Sequence, residues 1–222
     1  MLRNMERIIA ERVSRGLKLD ISQVVREYYE VLILKELSAL PFSDSLIFKG
    51  GTALRLVYGS PRFSEDLDFS MISGCSGGEF SATIEKIISP IPDSRITDLA
   101  EKYYTYLAEI KITKDYLSLP FRVKIEISKR IEESYKWKLK LIKSSCSIYS
   151  VLFKTATLEQ LYIDKKLCLK ERAQSKDLFD LWYISGVLKK SYNPKVKIDR
   201  KILIRDLKKF LPIDFHKVLE EL

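Results

Sequence analysis

Histidine is nearly missing from this chain: 222 residues contain one, His216. A Ser-His-Asp triad, a histidine metal cluster or a histidine general base would each have to use that single residue, and none is expected to. Cysteine is scarce as well. Cys75, Cys146 and Cys168 are odd in number, widely spaced and without a C-x-x-C pair. That argues against a disulfide framework or a zinc site and fits a reducing cytoplasm. Seven prolines and eight glycines leave no room for a low-complexity linker. No apolar run reaches membrane-spanning length, so no membrane role is expected. The start, MLRNMERIIAERVSRG, carries charges throughout and lacks the apolar region of a signal peptide.

What is present describes an ordinary globular chain. Hydrophobic residues make up 46% and charged residues 31%, enough apolar material for a real core. The length suits one sizeable domain, or a mixed domain with a smaller helical one beside it. The net charge of +9 should attract polyanions, either nucleic acid or the phosphates of a nucleotide.

Residues 3–15 read as a short amphipathic helix stopped by Gly16. Asp20, with Gln23 three residues on, resembles a capping box that opens a helix through about Leu40, ended by Pro41. Leu46–Phe48 reads as a short buried strand running into Gly50 and Gly51, then a helical turn from Thr52 to Val57. After the turn at Gly59-Ser60-Pro61, Asp66–Met71 alternates as a second strand. A loop from Ser73 to Gly78 precedes a helix at Glu79–Ile88, broken by Pro90-Ile91-Pro92. Strand candidates follow at Tyr103–Ile112, Phe121–Ser128, and Lys138–Ser144 running on towards Phe153. From Thr157 the pattern is helical, roughly 157–171, 175–188 and 199–210, with a short piece near the end. The expected division is a mixed part over 1–154, including the N-terminal helices, and a helical part over 155–222. No internal repeat is visible.

The informative stretch is Phe48-Lys49-Gly50-Gly51-Thr52, followed after thirteen residues by Asp66-Leu67-Asp68. Two residues without a Cβ let the backbone come close to a bulky anion. Thr52 starts a helix whose first amide N–H groups are unpaired, and its hydroxyl adds a donor; such a helix end binds phosphate. Asp66 and Asp68 emerge on one face of their strand while Leu67 and Phe69 enter the core. Two adjacent carboxylates repel unless a cation lies between them. A divalent ion would supply that charge and could bridge triphosphate oxygens during phosphoryl transfer. Taken singly, each half reads more readily as a tight turn or a solvated strand end. Joined at this spacing, in strand–turn–helix–strand order, the combination is far more specific.

A third acid follows. In Phe121-Arg122-Val123-Lys124-Ile125-Glu126-Ile127-Ser128 the apolar residues alternate, so Arg122, Lys124, Glu126 and Ser128 share the other face. Were this strand close to Asp66–Met71, Glu126 could complete a metal site or take a proton from an acceptor hydroxyl. A polar outer face of a sheet explains the same pattern. On the helix that follows, Leu158, Leu161, Tyr162, Lys165, Cys168, Leu169 and Arg172 share one face. Lys165 thus sits in an inward stripe and needs an anion: a triphosphate, Asp177 or Asp180. For Asp180 an interhelical packing role is favoured.

Phe48-Lys49-Gly50-Gly51-Thr52-Ala53-Leu54-Arg55-Leu56 and Arg62-Phe63-Ser64-Glu65-Asp66-Leu67-Asp68-Phe69 closely resemble the signature of the AbiEii/AbiGii toxin family, within the DNA polymerase β-like nucleotidyltransferases. The similarity continues in Leu158-Glu159-Gln160 through Asp164-Lys165, and in Lys176-Asp177-Leu178-Phe179-Asp180-Leu181-Trp182. The resemblance implies an α+β fold: a polymerase β-like mixed sheet flanked by helices, with a helical C-terminal part. It implies transfer of nucleotide from a nucleoside triphosphate, dependent on Mg2+ or Mn2+, in several members onto the 3′ end of tRNA. It also implies a toxin neutralised by an antitoxin, often in phage defence. By match, Gly51 and Thr52 fall on the phosphate-holding motif, with Lys49, Gly50, Arg62 and Ser64 grouped beside them as nucleotide-binding. Asp66 and Asp68 fall on the metal pair and Glu126 on the third acid. Lys165 and Asp177 fall on later motifs that help hold the nucleotide. The family's usual Arg-Asp pair is Lys176-Asp177 here, which keeps the charge but loses a bidentate fork.

Two basic stretches are candidates for RNA contact. In Tyr135–Lys143, Lys136, Lys138 and Lys140 would form a ladder on one strand face, with Tyr135 and Trp137 stacking on bases. The second cluster is Lys189, Lys190, Lys195, Lys197, Arg200 and Lys201. Either stretch reads equally as solvated surface. Tyr28, Tyr29, Tyr103, Tyr104 and Tyr106 read as core and strand packing. The leading expectation is a nucleotidyltransferase toxin acting on tRNA or another RNA in the cytoplasm. The alternatives are an enzyme modifying a protein hydroxyl or small molecule, and a non-catalytic nucleic-acid-binding module.

Overall fold

The structure is a computed structural model, and it describes residues 4–194, 196, 198–220 and 222. Lys195 and Lys197 of the second basic cluster, and residue 3 of the first expected helix, lie outside the described residues. Helix α1 (Arg7–Leu17) runs through Gly16 rather than stopping there. Lys18 ends it by taking a left-handed conformation (φ 50°), and its N–H bonds back to the Arg15 carbonyl. Helix α2 (Ile21–Ser38) is capped by Asp20, whose carboxylate accepts from the Ser22 N–H; the reciprocal box with Gln23 does not form. Nearly every residue of α2 from Gln23 to Leu34 is buried, because it lies across the sheet between other elements. Pro41 opens a tight helical turn (Pro41–Ser45) that leads into strand β1 (Leu46–Lys49).

Helix α3 (Gly50–Tyr58) follows β1 directly, and strand β2 (Asp66–Met71) returns antiparallel to it. Helix α4 (Gly77–Ile88) starts two residues earlier than the sequence pattern indicates, because Ser76 caps it through the Glu79 N–H. Strand β3 (Ser94–Glu101) was not expected: it is an edge strand, mostly exposed, and lacks the apolar alternation that reveals a buried one. Strands β4 (Thr105–Ile112) and β5 (Phe121–Ser128) follow. The expected single run from Lys138 towards Phe153 is two strands, β6 (Trp137–Ile142) and β7 (Val151–Ala156), paired antiparallel across a Ser-rich turn. Seven strands thus form one mixed sheet in the order β3-β4-β5-β2-β1-β7-β6.

Register places the site. Phe48 pairs with Phe69, and both rings pack with Phe153 in the core on the α2 side. Ile47, Lys49, Asp66 and Asp68 therefore point to the opposite face. There Ile47 and Leu54 pack with Leu158, Leu161 and Ile184 of the chain's last third. That last third comprises helices α5 (Leu158–Glu171), α6 (Ser175–Val187) and α7 (Arg200–Lys208) and a final turn (Ile213–Glu220). Leu169, Phe179, Leu203 and Leu207 form a core of their own, and the Phe63 N–H bonds to the Phe210 carbonyl at 2.8 Å. The architecture is α+β. No described helix is long and apolar enough to cross a membrane.

Candidate active site

The bend after β1 is built on two absent side chains. Gly50 has φ +79°, a conformation that penalises any residue with a Cβ. A Cβ there would also collide with the Asp68 carboxylate, and one at Gly51 with the Arg62 guanidinium and the Ser64 hydroxyl. The space left by the missing Cβ atoms is thus filled by the protein itself, which lets the bend press against β2. Thr52 is buried, and its hydroxyl donates to the Asp66 carbonyl oxygen at 2.5 Å. It staples the helix start to the acid strand and is not the extra phosphate donor that the sequence implies. Among the described residues no side chain caps α3, so its first N–H groups retain the anion-binding character of an open helix end.

Asp68 sits opposite Lys49 on β1 and opposite Glu126 on β5; Asp66 sits opposite Lys124. Among the described residues, neither aspartate carboxylate has a hydrogen-bond or ion-pair partner. Both titrate above the ordinary range. For Asp68 the causes are burial and then repulsion from Asp66, only partly offset by Lys49 and Lys165. For Asp66 the cause is burial, partly offset by Lys176 and Lys124. The third acid is adjacent, as the strand pattern suggested, but it is engaged: Lys124 Nζ lies 2.5 Å from Glu126 Oε2. Among the described residues, no three acidic, His or Cys side chains form a group able to hold a metal unaided. A hard cation that takes one or two carboxylates and completes its shell with substrate phosphates suits such a pair.

Behind this pair lies a buried ion network. Arg62 is 2% exposed, and its Nε and terminal nitrogen donate to the two Asp180 oxygens at 2.7 and 2.8 Å. Its remaining nitrogen donates to the Phe63 carbonyl at 2.9 Å, so Arg62 supports the glycine bend from beneath. Lys165 bonds Asp177 at 2.9 Å and Asp180 at 2.7 Å, and Arg172 closes the chain on Asp177. Burial disfavours charge on Asp180, yet Arg62 and Lys165 outweigh it and hold its carboxyl down to about 2. Burial likewise opposes charge on Lys165, and Asp180 and Asp177 outweigh it, pushing the amine up to about 12. The internal ion pair is therefore formed, and the Asp180 packing role with it.

Sequence reasoning gave no role to Lys124, and the Arg62–Asp180 link spans 118 residues, beyond the reach of any local pattern. The lysine ladder is corrected. Lys136 precedes β6, and on the strand Trp137, Leu139 and Leu141 are exposed together on the face opposite Lys138 and Lys140. Tyr135 turns inward, its hydroxyl donating to Asp164 at 2.5 Å. Tyr28, Tyr29 and Tyr106 are buried, whereas Tyr103, 82% exposed, and Tyr104 are not, because β4 starts only at Thr105.

The family model described as "Nucleotidyl transferase AbiEii toxin, Type IV TA system" matches residues 32–210. The chain belongs to this family. It is accordingly a nucleotidyltransferase of an AbiEii toxin lineage. Two solved structures share its fold. JHP933 from Helicobacter pylori is 24% identical, covering 76% of this chain and 68% of that one, with a TM-score of 0.53. MenT4, a nucleotidyltransferase toxin from Mycobacterium tuberculosis, is 16% identical, covering 91% of this chain and 68% of that one, with a TM-score of 0.61. No curated protein matches the chain.

Proposed function

We propose that this AbiEii-family enzyme moves a nucleoside monophosphate from a nucleoside triphosphate to the 3′-terminal hydroxyl of tRNA, using Mg2+ or Mn2+ held at Asp66 and Asp68. The observation that carries this reading is the carboxylate pair, without a partner among the described residues, beside the open α3 N-terminus and near Lys49, Lys124, Lys165 and Lys176. Buried like charges raise each other's pKa, and a substrate-borne cation relieves the repulsion. The ion, when bound, offsets charge on the transferring phosphoryl group. The backbone N–H groups from Gly50 to Thr52, with Ser64 and Lys49, hold the triphosphate. Glu126, positioned by Lys124, takes the acceptor hydroxyl's proton as its oxygen bonds to the α-phosphorus and pyrophosphate leaves. Lys165 and Asp177 act from the helical side through their buried ion pair, bracing the site rather than touching the nucleotide, in a division of the chain into 1–154 and 155–222.

In the cell the enzyme acts as the toxin of a toxin–antitoxin pair in phage defence, in the cytoplasm, with a cognate antitoxin as partner. Incubation with each labelled triphosphate, Mg2+, total tRNA and a protein fraction tests the assignment. Label in the tRNA band that disappears in Asp68→Ala supports it. Label in protein or a small molecule would favour the other acceptor class, and undiminished transfer by Asp68→Ala would sink the catalytic assignment.

A further inference from the structure

The two aspartates face different surroundings. Asp68 packs under Gly50, on the side of the phosphate-holding bend, whereas Asp66 lines a separate cavity of about 420 Å3. The cavity floor is the polar face of β4 and β5, with Lys111, Arg122 and Lys124; Phe121 and Arg26 of α2 form a wall. Its volume lies in the range of small-ligand sites. The acceptor hydroxyl has to come within reach of Glu126, and Lys124, which holds Glu126, lines this cavity beside Asp66.

We infer that this cavity is the acceptor site and that it takes the terminal nucleotide of a nucleic acid. The inference rests on the proposed transfer to RNA and names where that RNA end is held. Four cations line the cavity, and three of them have acid partners: Glu65 is 3.6 Å from Arg26, Glu109 is 3.5 Å from Arg122, and Lys124 engages Glu126. Lys111 has no ion-pair partner among the described residues and is in register with Arg122 across β4 and β5, so the two stand side by side at the rim. Such a pair suits a phosphodiester. Arg26 lies 4.8 Å over the buried Phe121 ring, so it is the guanidinium plane, backed by that ring, against which a base can lie. Arg26 is largely buried, and its Nε has no hydrogen-bond partner among the described residues although its terminal nitrogen donates to the Arg122 carbonyl. A buried donor left open at a cavity calls for an acceptor from a ligand.

The test is steady-state kinetics with total tRNA and the labelled triphosphate for wild type, the double variant Lys111→Ala/Arg122→Ala, and Phe121→Leu. The acceptor KM should rise by about tenfold or more in the double variant while the triphosphate KM stays within about twofold. Circular dichroism melts confirm that each variant is folded. A photoreactive RNA oligonucleotide ending in 4-thiouridine should cross-link to the peptide holding Pro120 and Phe121, which does not depend on turnover. Wild-type labelling of tRNA with an unchanged acceptor KM in the double variant, or cross-links only elsewhere, overturns the cavity assignment alone. A wild type that labels no RNA at all overturns the proposed acceptor and this assignment together.

Discussion

Two aspartate pairs lie close together in this molecule and have opposite electrostatic characters. Asp66 and Asp68, on one strand, are raised in pKa by burial, Asp68 also by repulsion from Asp66, and have no partner among the described residues. Asp177 and Asp180, on one helix, are buried still more deeply, yet Arg62, Lys165 and Arg172 hold both below the ordinary range. Residue type and near-identical spacing do not distinguish them. What differs is whether the protein supplies the counter-charge. The helix pair has its cations and joins elements, while the strand pair has no cation bonded to it among the described residues.

The comparison can be broken most directly at its paired end. Asp180→Ala leaves Arg62 and Lys165 buried with one counter-ion fewer, and denaturant unfolding should show a loss of about 3–5 kcal/mol. A near-neutral result would show that the network contributes little to the fold. At the unpaired end, Asp68→Asn should lower nucleotide transfer by roughly 10^2–10^3-fold, the scale seen when a group opposing transition-state charge is lost. Its melting temperature should rise, since a carboxylate disfavoured by its surroundings has been neutralised. A fall in both would place Asp68 with the structural pair.

Acid titration sharpens the contrast through opposite signs. Raised folded pKa values on Asp66 and Asp68 mean that protonation favours the folded state, so their contribution to stability increases as pH falls through those values. Transfer should be lost over that same window, above the ordinary aspartate value of 3.8. Asp180 is depressed, so its stabilisation is full above 3.8 and is lost as pH falls towards about 2. Activity should therefore disappear before the fold does, as read by transfer assays beside a circular dichroism titration. A smaller effect is expected between the pairs: Gly51→Ala pushes a Cβ against Arg62 and should cost about 1–3 kcal/mol by overpacking. Lys138→Ala, on the exposed edge strand, should stay within about 0.5 kcal/mol in unfolding and leave transfer unchanged.

Much of this is legible in the sequence. Alternation placed Asp66, Asp68 and Glu126 on the faces they occupy, because side-chain direction along a strand has a period of two whatever the surroundings. The boundaries of β2, β5 and α6 follow from apolar pattern and turn residues for the same local reason. Edge strand β3 lacked that signal, as did the division between β6 and β7, where a turn without glycine or proline separates two apolar runs.

Sequence alone determined the family, the strand–bend–helix–strand unit and which carboxylates share a face, since each depends on residues near one another in the chain. Tertiary structure decided which charges are satisfied. It directed Arg62 to Asp180, Lys124 to Glu126 and the Thr52 hydroxyl to a backbone carbonyl, and it left Asp66 and Asp68 to each other. Counter-charge depends on distance in space and on burial, and neither is written in the spacing of residues along a chain.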